Sequence, residues 1–204
     1  LPMHTCGRFH KNTLSEILKT TFPNRHLKII HRLDSNTTGL VVFGKTKEAT
    51  AYVSKQFEQH LVSKQYLASV EGTTKKTSFE SHSAISTFKT PSGGRNIDQN
   101  GSEAYTYFKV LERLHNSSLL LVNPKSGKTN QIRLHLAEIG HPIIGDIGYK
   151  DPTYFKKNPL TYTTDTLYLH AWKLTLSHPT TKKKTVFEAP IPSKFKEYKL
   201  LLIK

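Results

Sequence analysis

The stretch His31-Arg32-Leu33-Asp34-Ser35-Asn36-Thr37-Thr38-Gly39-Leu40 sets one acid beside two basic side chains and runs into a Thr-Thr-Gly turn. The apolar run Leu40-Val41-Val42-Phe43 follows, ended by Gly44. A polar turn feeding a short apolar run reads as a loop delivered onto a buried strand. Positive charge nearby favours the ionised form of a carboxylate, so Asp34 is expected to be well ionised. Such a group serves as a nucleophile or base. It serves equally as a plain ion-pair partner of Arg32 or a cap on the turn, and the local residues alone leave both readings open.

The wider composition narrows the choice. The 204-residue chain carries 30 Lys and Arg against 15 Asp and Glu, a formal charge of +15, and its pI is near 9.8. That field attracts polyanions, nucleic acid first and anionic membrane second. No apolar run approaches the ~20 residues that span a bilayer. The length suits one domain, and 36% apolar residues suffice for a core at this size. The single cysteine, Cys6, excludes an internal disulfide and a thiolate metal site. It fits a reducing compartment, so the expected location is cytoplasmic. The chain opens on Leu1-Pro2 with neither an initiator Met nor a secretory pattern, which reads as a processed chain or a portion of a longer one.

Working outward, residues 12–20 have helical apolar spacing, with Thr13 and Glu16 placed as a capping box. Leu27–Ile30 and Leu40–Phe43 read as strands. Thr46 opens a second helix in which Ala49, Val53, Phe57 and Leu61 recur on one face. Gln65–Val70 reads as a strand. Residues 72–102 are polar and rich in turn formers, with a loop around Thr90–Arg95. Strands are expected at Ala104–Leu114, Ser117–Val122, Leu167–Leu176 and Thr185–Phe187. Thr129 is placed to cap a third helix that Gly140 ends, and Pro192 to start a last helix through Leu202. Most strands follow one another without an intervening helix. The expected class is therefore α+β, a mixed, mainly antiparallel β-sheet flanked by helices.

Eleven histidines invite a metal reading. The nearest motif, His135 to His141, has the wrong interval for a helical pair, and Gly140 interrupts it, so no metal site is expected. Ser126-Gly127-Lys128-Thr129 has the ending of a phosphate loop without its first glycine, leaving a backbone phosphate contact at a helix start. Taken alone, Arg133 is a surface arginine and Tyr66 a packing tyrosine.

In order, these pieces resemble the RluA-type pseudouridine synthases of the RluA/RsuA family. The resemblance rests first on His31-Arg32-Leu33-Asp34 with Thr37-Thr38-Gly39-Leu40, where Thr38 stands for the usual serine. It continues in Lys64-Gln65-Tyr66-Leu67-Ala68, and in Ser126-Gly127-Lys128-Thr129-Asn130-Gln131-Ile132-Arg133 running on to Gly140-His141-Pro142-Ile143-Ile144-Gly145-Asp146 and Tyr149. Lys128 keeps the charge of the usual arginine, while Asn130 replaces a histidine. Leu169-His170-Ala171, His178-Pro179 and Ala189-Pro190-Ile191-Pro192 complete the set.

The resemblance implies an isomerase that turns uridine into pseudouridine within RNA, ribosomal or transfer, without cofactor or metal. Asp34 would attack C1′ of the ribose, take a proton from C2′, or attack C6 of the base. Arg133 would pair with Asp34, and Tyr66 would stack on the target base. Arg32, Lys64, Lys128, Thr129, Asn130 and Gln131 would contact RNA. The expectation is a single catalytic domain over residues 1–204, its first strand missing and without an S4-type domain, acting as a monomer with no membrane partner. The rival reading is a non-enzymatic RNA-binding module that kept the fold; an intact Asp34, Tyr66 and Arg133 set argues against it, because binding alone needs no aimed carboxylate.

Overall fold

A computed structural model describes residues 3, 11–25, 27–90, 94–150 and 167–198. The first helix, α1 (Leu14–Thr21), is capped by Thr13, whose side chain accepts the Glu16 N–H. Short strands follow: β1 (Lys28–Ile29), β2 (Thr38–Gly39) and β3 (Phe43–Gly44). Helix α2 (Lys47–Glu58) is capped in the same way by Thr46. Next come β4 (Ser63–Glu71), β5 (Ser78–Ser81), β6 (Thr106–Arg113) and β7 (Ser117–Pro124), then α3 (Gln131–Glu138) and the single turn α4 (Ile147–Lys150). Strands β8 (Leu169–Ser177) and β9 (Lys184–Glu188) precede a 3₁₀ turn at Ser193–Phe195.

Strands β1 and β3 pair with each other, and the other seven form one sheet in the order β2-β8-β4-β7-β6-β5, with β9 also on β8. Only the β2–β8 pairing is parallel. The sheet is thus mixed and mainly antiparallel, as the succession of strands without helices implied. Side chains alternate between its faces. Ala68, Val70, Leu120, Val122 and Leu169 pack with Ile132 and Leu136 of α3. On the opposite face Leu67, Leu119 and Trp172 pack with Phe195 and Tyr198. Leu174 and Leu176 meet Val53 of α2.

Three expectations change. The Leu40–Phe43 run is not one strand. Its approach, β2, joins β8, and its end, β3, joins β1, so the chain hands over from one sheet to another there. Helix α2 buries Thr50, Val53 and Gln56, while Leu61 lies past its end and is exposed. Gln56 is inward because its amide clamps Ser177, donating to the carbonyl at 2.9 Å and accepting the N–H at 2.7 Å. Pro192 starts only a 3₁₀ turn within the described residues, and positions 199–202 lie outside them.

Gly39 fixes where the Asp34 loop meets the sheet. Its φ is +115°, and a Cβ there would sit 2.2 Å from the Ala171 carbonyl oxygen. The next residue, Leu40, donates its N–H to that same oxygen at 3.0 Å. Gly39→Ala must push two strands apart and strain the backbone. It is expected to cost about 2–3 kcal/mol, in the range of overpacking plus an unfavourable φ. Urea unfolding measures this, and an unchanged midpoint would contradict the close approach.

Candidate active site

Asp34 opens a β-turn closed by the Thr37 N–H on its carbonyl at 3.1 Å. Asn36 takes the left-handed position in that turn, at φ 64°, a conformation asparagine tolerates. Leu33 is buried on one side of Asp34. On the other, Thr38 and Gly39 are zipped to His170 and Ala171. The carboxylate is therefore carried on a short turn tied down at both ends. Its Oδ2 accepts the backbone N–H of Asn130 at 3.1 Å, from 96 residues away. The carboxylate binds a backbone N–H at a helix start, but that helix is α3, remote in sequence.

Asn130 is the N-cap of α3, with φ 57° and ψ 20° and no side-chain cap hydrogen bond. The Thr129 cap expected from spacing is displaced by one residue. Thr129 instead lies exposed beside Lys128.

A pocket of about 140 Å³ opens at this point. Arg32, Asp34, Lys64, Tyr66, Lys128, Thr129 and Gln131 all line it, and Asp34 is the only acid among its described lining residues. Sequence motifs scattered over a hundred positions thus meet in one cleft. Arg133 and Asn130 stand outside its lining.

Tyr66 sits on β4 between Val122 of β7 and Ala171 of β8. The register of β4 against β8 shifts between Gln65 and Tyr66. Such an irregularity re-aims a side chain, and it falls where the strand meets the pocket. Burial first, and the Asp34 charge second, raise the Tyr66 phenol above its ordinary range, so it stays neutral at physiological pH.

The expectation for Arg133 is corrected. Its guanidinium grips Asp146, with Nε on Oδ2 at 2.7 Å and Nη2 on Oδ1 at 2.8 Å. Nη1 donates to the Asn130 side-chain oxygen at 3.0 Å, and the guanidinium lies over the Tyr149 ring, 4.7 Å from its centroid. No direct Arg133–Asp34 ion pair is present among the described residues. The physical reason is burial. The Arg133 and Asp146 side chains are 13% and 1% exposed, and a carboxylate that deep requires a bidentate partner.

The direction of the Asp34 shift also differs from expectation. Burial is the dominant influence and raises its pKa. The Asn130 N–H, then Arg133, then Arg32 act the other way, and the Asp146 charge adds to the rise. Nearby cations lose to desolvation here. A carboxylate of raised pKa is the more basic one once ionised, which suits acid–base or nucleophilic work near neutral pH.

Two residues expected at RNA are committed inside the protein. The Gln131 amide accepts from Ser126 Oγ at 2.7 Å and from the Lys128 N–H at 3.0 Å. It donates to the Tyr105 carbonyl at 3.0 Å and to Thr106 Oγ1 at 2.9 Å. Those four bonds exhaust a glutamine amide, so Gln131 staples the loop instead of reading RNA through its amide. Lys64 donates to the Ser126 carbonyl at 2.7 Å, and burial lowers its pKa to about 8. Lys128, Thr129 and Arg32 are exposed at the pocket. Asp146 and Tyr149 are functional candidates that reading by motif left without a role. The signal for Asp146 was available: a helical arginine beside apolar residues needs an acid, and acids are scarce in this chain.

Among the described residues no group of three or more His, Cys, Asp or Glu is arranged to hold a metal ion. None of the described helices is long and apolar enough to cross a membrane. His135 is fully buried, its ring bonded to Thr106 Oγ1 and the Ser83 carbonyl, both at 2.9 Å.

Two other histidines flank the site and stay neutral. His31 accepts the Val42 N–H at 3.2 Å and stacks on Phe57. Burial, then the Lys64 charge, lowers its pKa to about 4. His170 shares a 2.8 Å hydrogen bond with Thr38, and burial, then Lys194, lowers it to about 4. Both values lie below the ordinary 6.5, so the unfolded chain binds more protons than the native one between these limits. Stability is therefore expected to fall as pH drops from about 6.5 to about 4. The raised pKa of Asp34 opposes this in part, since burying it ionised costs stability above its unfolded value. Urea unfolding at pH 6.5 and 4.5 provides the check, and equal stabilities would contradict two buried neutral imidazoles.

A family model described as RNA pseudouridylate synthase matches residues 1–138. The ribosomal large subunit pseudouridine synthase D of Nitrosomonas europaea is 38% identical over 170 residues, covering 80% of this chain and 48% of that protein. The ribosomal large subunit pseudouridine synthase C of Buchnera aphidicola is 31% identical over 179 residues, covering 85% and 56%. The structure of human RNA Pseudouridylate Synthase Domain Containing 1 superposes with a TM-score of 0.73 at 26% identity, over 92% of this chain and 78% of that one. The chain spans about half the length of these two curated relatives.

Proposed function

The chain belongs to the RNA pseudouridylate synthase family, and on that premise we propose that it isomerises uridine to pseudouridine in structured RNA, with Asp34 as the reacting carboxylate. The observation that carries this reading is the pocket: one half-buried acid, aimed by a backbone N–H, in a cleft otherwise lined by cationic, polar and apolar side chains. The bond from uracil N1 to C1′ breaks, and a bond from C5 to C1′ forms. The C5 proton leaves to solvent and N1 gains one, so atoms balance without cofactor or energy source.

Asp34 acts on the nucleotide as nucleophile at C1′ or C6, or as base at C2′. All three roles need the same group, ionised and within reach of the flipped nucleotide. The Tyr66 ring offers a flat face on which uracil turns without losing contact, which a fixed hydrogen-bond clamp would oppose. Flipping a paired uridine out costs a few kcal/mol. Exposed Arg32 and Lys128 at the mouth offset this through phosphate contacts. Ribosomal RNA is the first substrate class to try, after the names of the relatives, and transfer RNA the second.

Pseudouridine mapping of cellular RNA with and without the gene tests the reading. Loss of one or a few sites on deletion, restored by the wild-type gene and not by Asp34→Asn, is the expected result. An unchanged map would contradict it.

Binding is expected to weaken steeply with salt, because each neutralised phosphate releases counterions. Lys128→Ala should reduce the log–log slope by about one phosphate contact and leave the chemical step alone. Filter binding between low and moderate salt measures this. An affinity independent of salt would remove the +15 surface as the source of binding.

A further inference from the structure

We propose that Asp146 is a positioning residue for Asp34, acting through the Arg133 fork and the backbone of Asn130. The inference deepens the function proposed above and rests on it for its kinetic arm alone.

A non-glycine residue in the left-handed region persists only where its surroundings hold it. Asn130 is held by its side chain, which accepts from Arg133 Nη1 at 3.0 Å and donates to the Tyr149 hydroxyl at 2.9 Å. Its N–H, pointed by that conformation, is the one that binds Asp34 Oδ2. Arg133 is held in turn by both oxygens of Asp146. The Tyr149 backbone N–H reaches Asp146 Oδ1 at 3.3 Å. Both supports of the Asn130 side chain therefore lead back to one carboxylate, itself 1% exposed. Asp146 does not line the pocket, so beyond its charge, which adds to the rise in the Asp34 pKa, its action on the reacting group runs through these contacts. Small displacements of an aimed group cost rate much more than they cost folding.

A merely structural Asp146 would affect melting alone. A positioning Asp146 also affects the Asn130 amide and the rate per folded molecule. The test uses Asp146→Asn, Asp146→Glu, Asn130→Gly and the double variant Asn130→Gly/Asp146→Asn in the full chain. Three readouts are taken: hydrogen exchange at the Asn130 amide, RNA affinity, and single-turnover tritium release from ribosomal and transfer RNA transcripts carrying 5-tritiated uridine, normalised to folded protein.

Asp146→Asn is expected to slow turnover by about 10- to 100-fold, to speed exchange at the Asn130 amide, and to leave RNA affinity unchanged. Asp146→Glu keeps the charge but shifts the fork, so both quantities should fall between wild type and Asp146→Asn. Glycine adopts the left-handed backbone unaided. In the Asn130→Gly background the added Asp146→Asn change should therefore cost only about threefold or less, a non-additive result.

Wild-type rate and Asn130 protection in Asp146→Asn would overturn the proposal, as would full additivity in the double variant. If Asp146→Asn does not fold, the same two readouts on Asp146→Glu decide, and wild-type values there overturn it. Absence of tritium release from wild type would count against the proposed function, while the exchange arm would still decide the role of Asp146.

Discussion

Asp34→Asn is expected to lower turnover by at least about three orders of magnitude while the protein melts at the wild-type temperature or above it. Both halves follow from the same geometry. The asparagine oxygen still accepts the Asn130 N–H that now reaches Asp34 Oδ2 at 3.1 Å, so the turn and the start of α3 keep their link. The carboxamide can neither attack carbon nor hold a proton as a carboxylate does. Burial, the strongest influence on Asp34, works against its charge, and a neutral isostere removes that cost. Activity gone with stability intact is the pattern of a group kept for chemistry at the expense of stability. A single-turnover rate beside a thermal melt reads both. A variant that loses stability in proportion to rate would reduce Asp34 to a structural cap.

Arg133→Ala carries the largest expected stability loss. It leaves the Asp146 carboxylate, 1% exposed, without either of its two guanidinium bonds. Breaking a buried pair from one side costs about 3–5 kcal/mol, because the remaining charge has no compensation. It also releases the Asn130 side chain and removes a positive charge that holds the Asp34 pKa down. The acid limb of the pH–rate profile should therefore move to higher pH. Arg133→Lys keeps the charge but not the fork, and here the fork serves Asp146. It should thus cost stability as well as rate. Urea unfolding and a pH–rate profile of the two variants provide the check. Wild-type stability in Arg133→Ala would mean that the Arg133–Asp146 pair is not the anchor described.

What the sequence made legible was local or carried by motif. Thr13 and Thr46 cap their helices because the signal and its consequence lie three residues apart. The succession of strands announced an antiparallel sheet. The motifs of Asp34, Tyr66 and Lys128 marked three walls of one pocket. What escaped depends on contacts across the chain. Asp34 meets the Asn130 N–H over 96 residues, and no local pattern shows a backbone donor aimed at it. The direction of its pKa shift escaped because charge is visible in a sequence and burial is not. Arg133 was assigned to Asp34 when Asp146, only 13 residues along, holds both prongs of its fork. Asn130 starts α3 through backbone conformation alone, so the side-chain cap rule chose its neighbour Thr129. Gln131 looked like a polar reader of RNA until its four internal bonds were seen.

As proposed, this pocket exchanges the N1 linkage of uridine for a C5 linkage through Asp34. Every such exchange expels the hydrogen of C5, so tritium release from RNA transcripts carrying 5-tritiated uridine reports it directly. Wild-type protein is expected to release tritium in a single turnover, after dialysis against chelator, with pseudouridine appearing in equal amount. Asp34→Asn should bind the same RNA and release none above background. Release by Asp34→Asn at the wild-type rate, or RNA binding by wild type with no release from any ribosomal or transfer RNA transcript, would contradict the account.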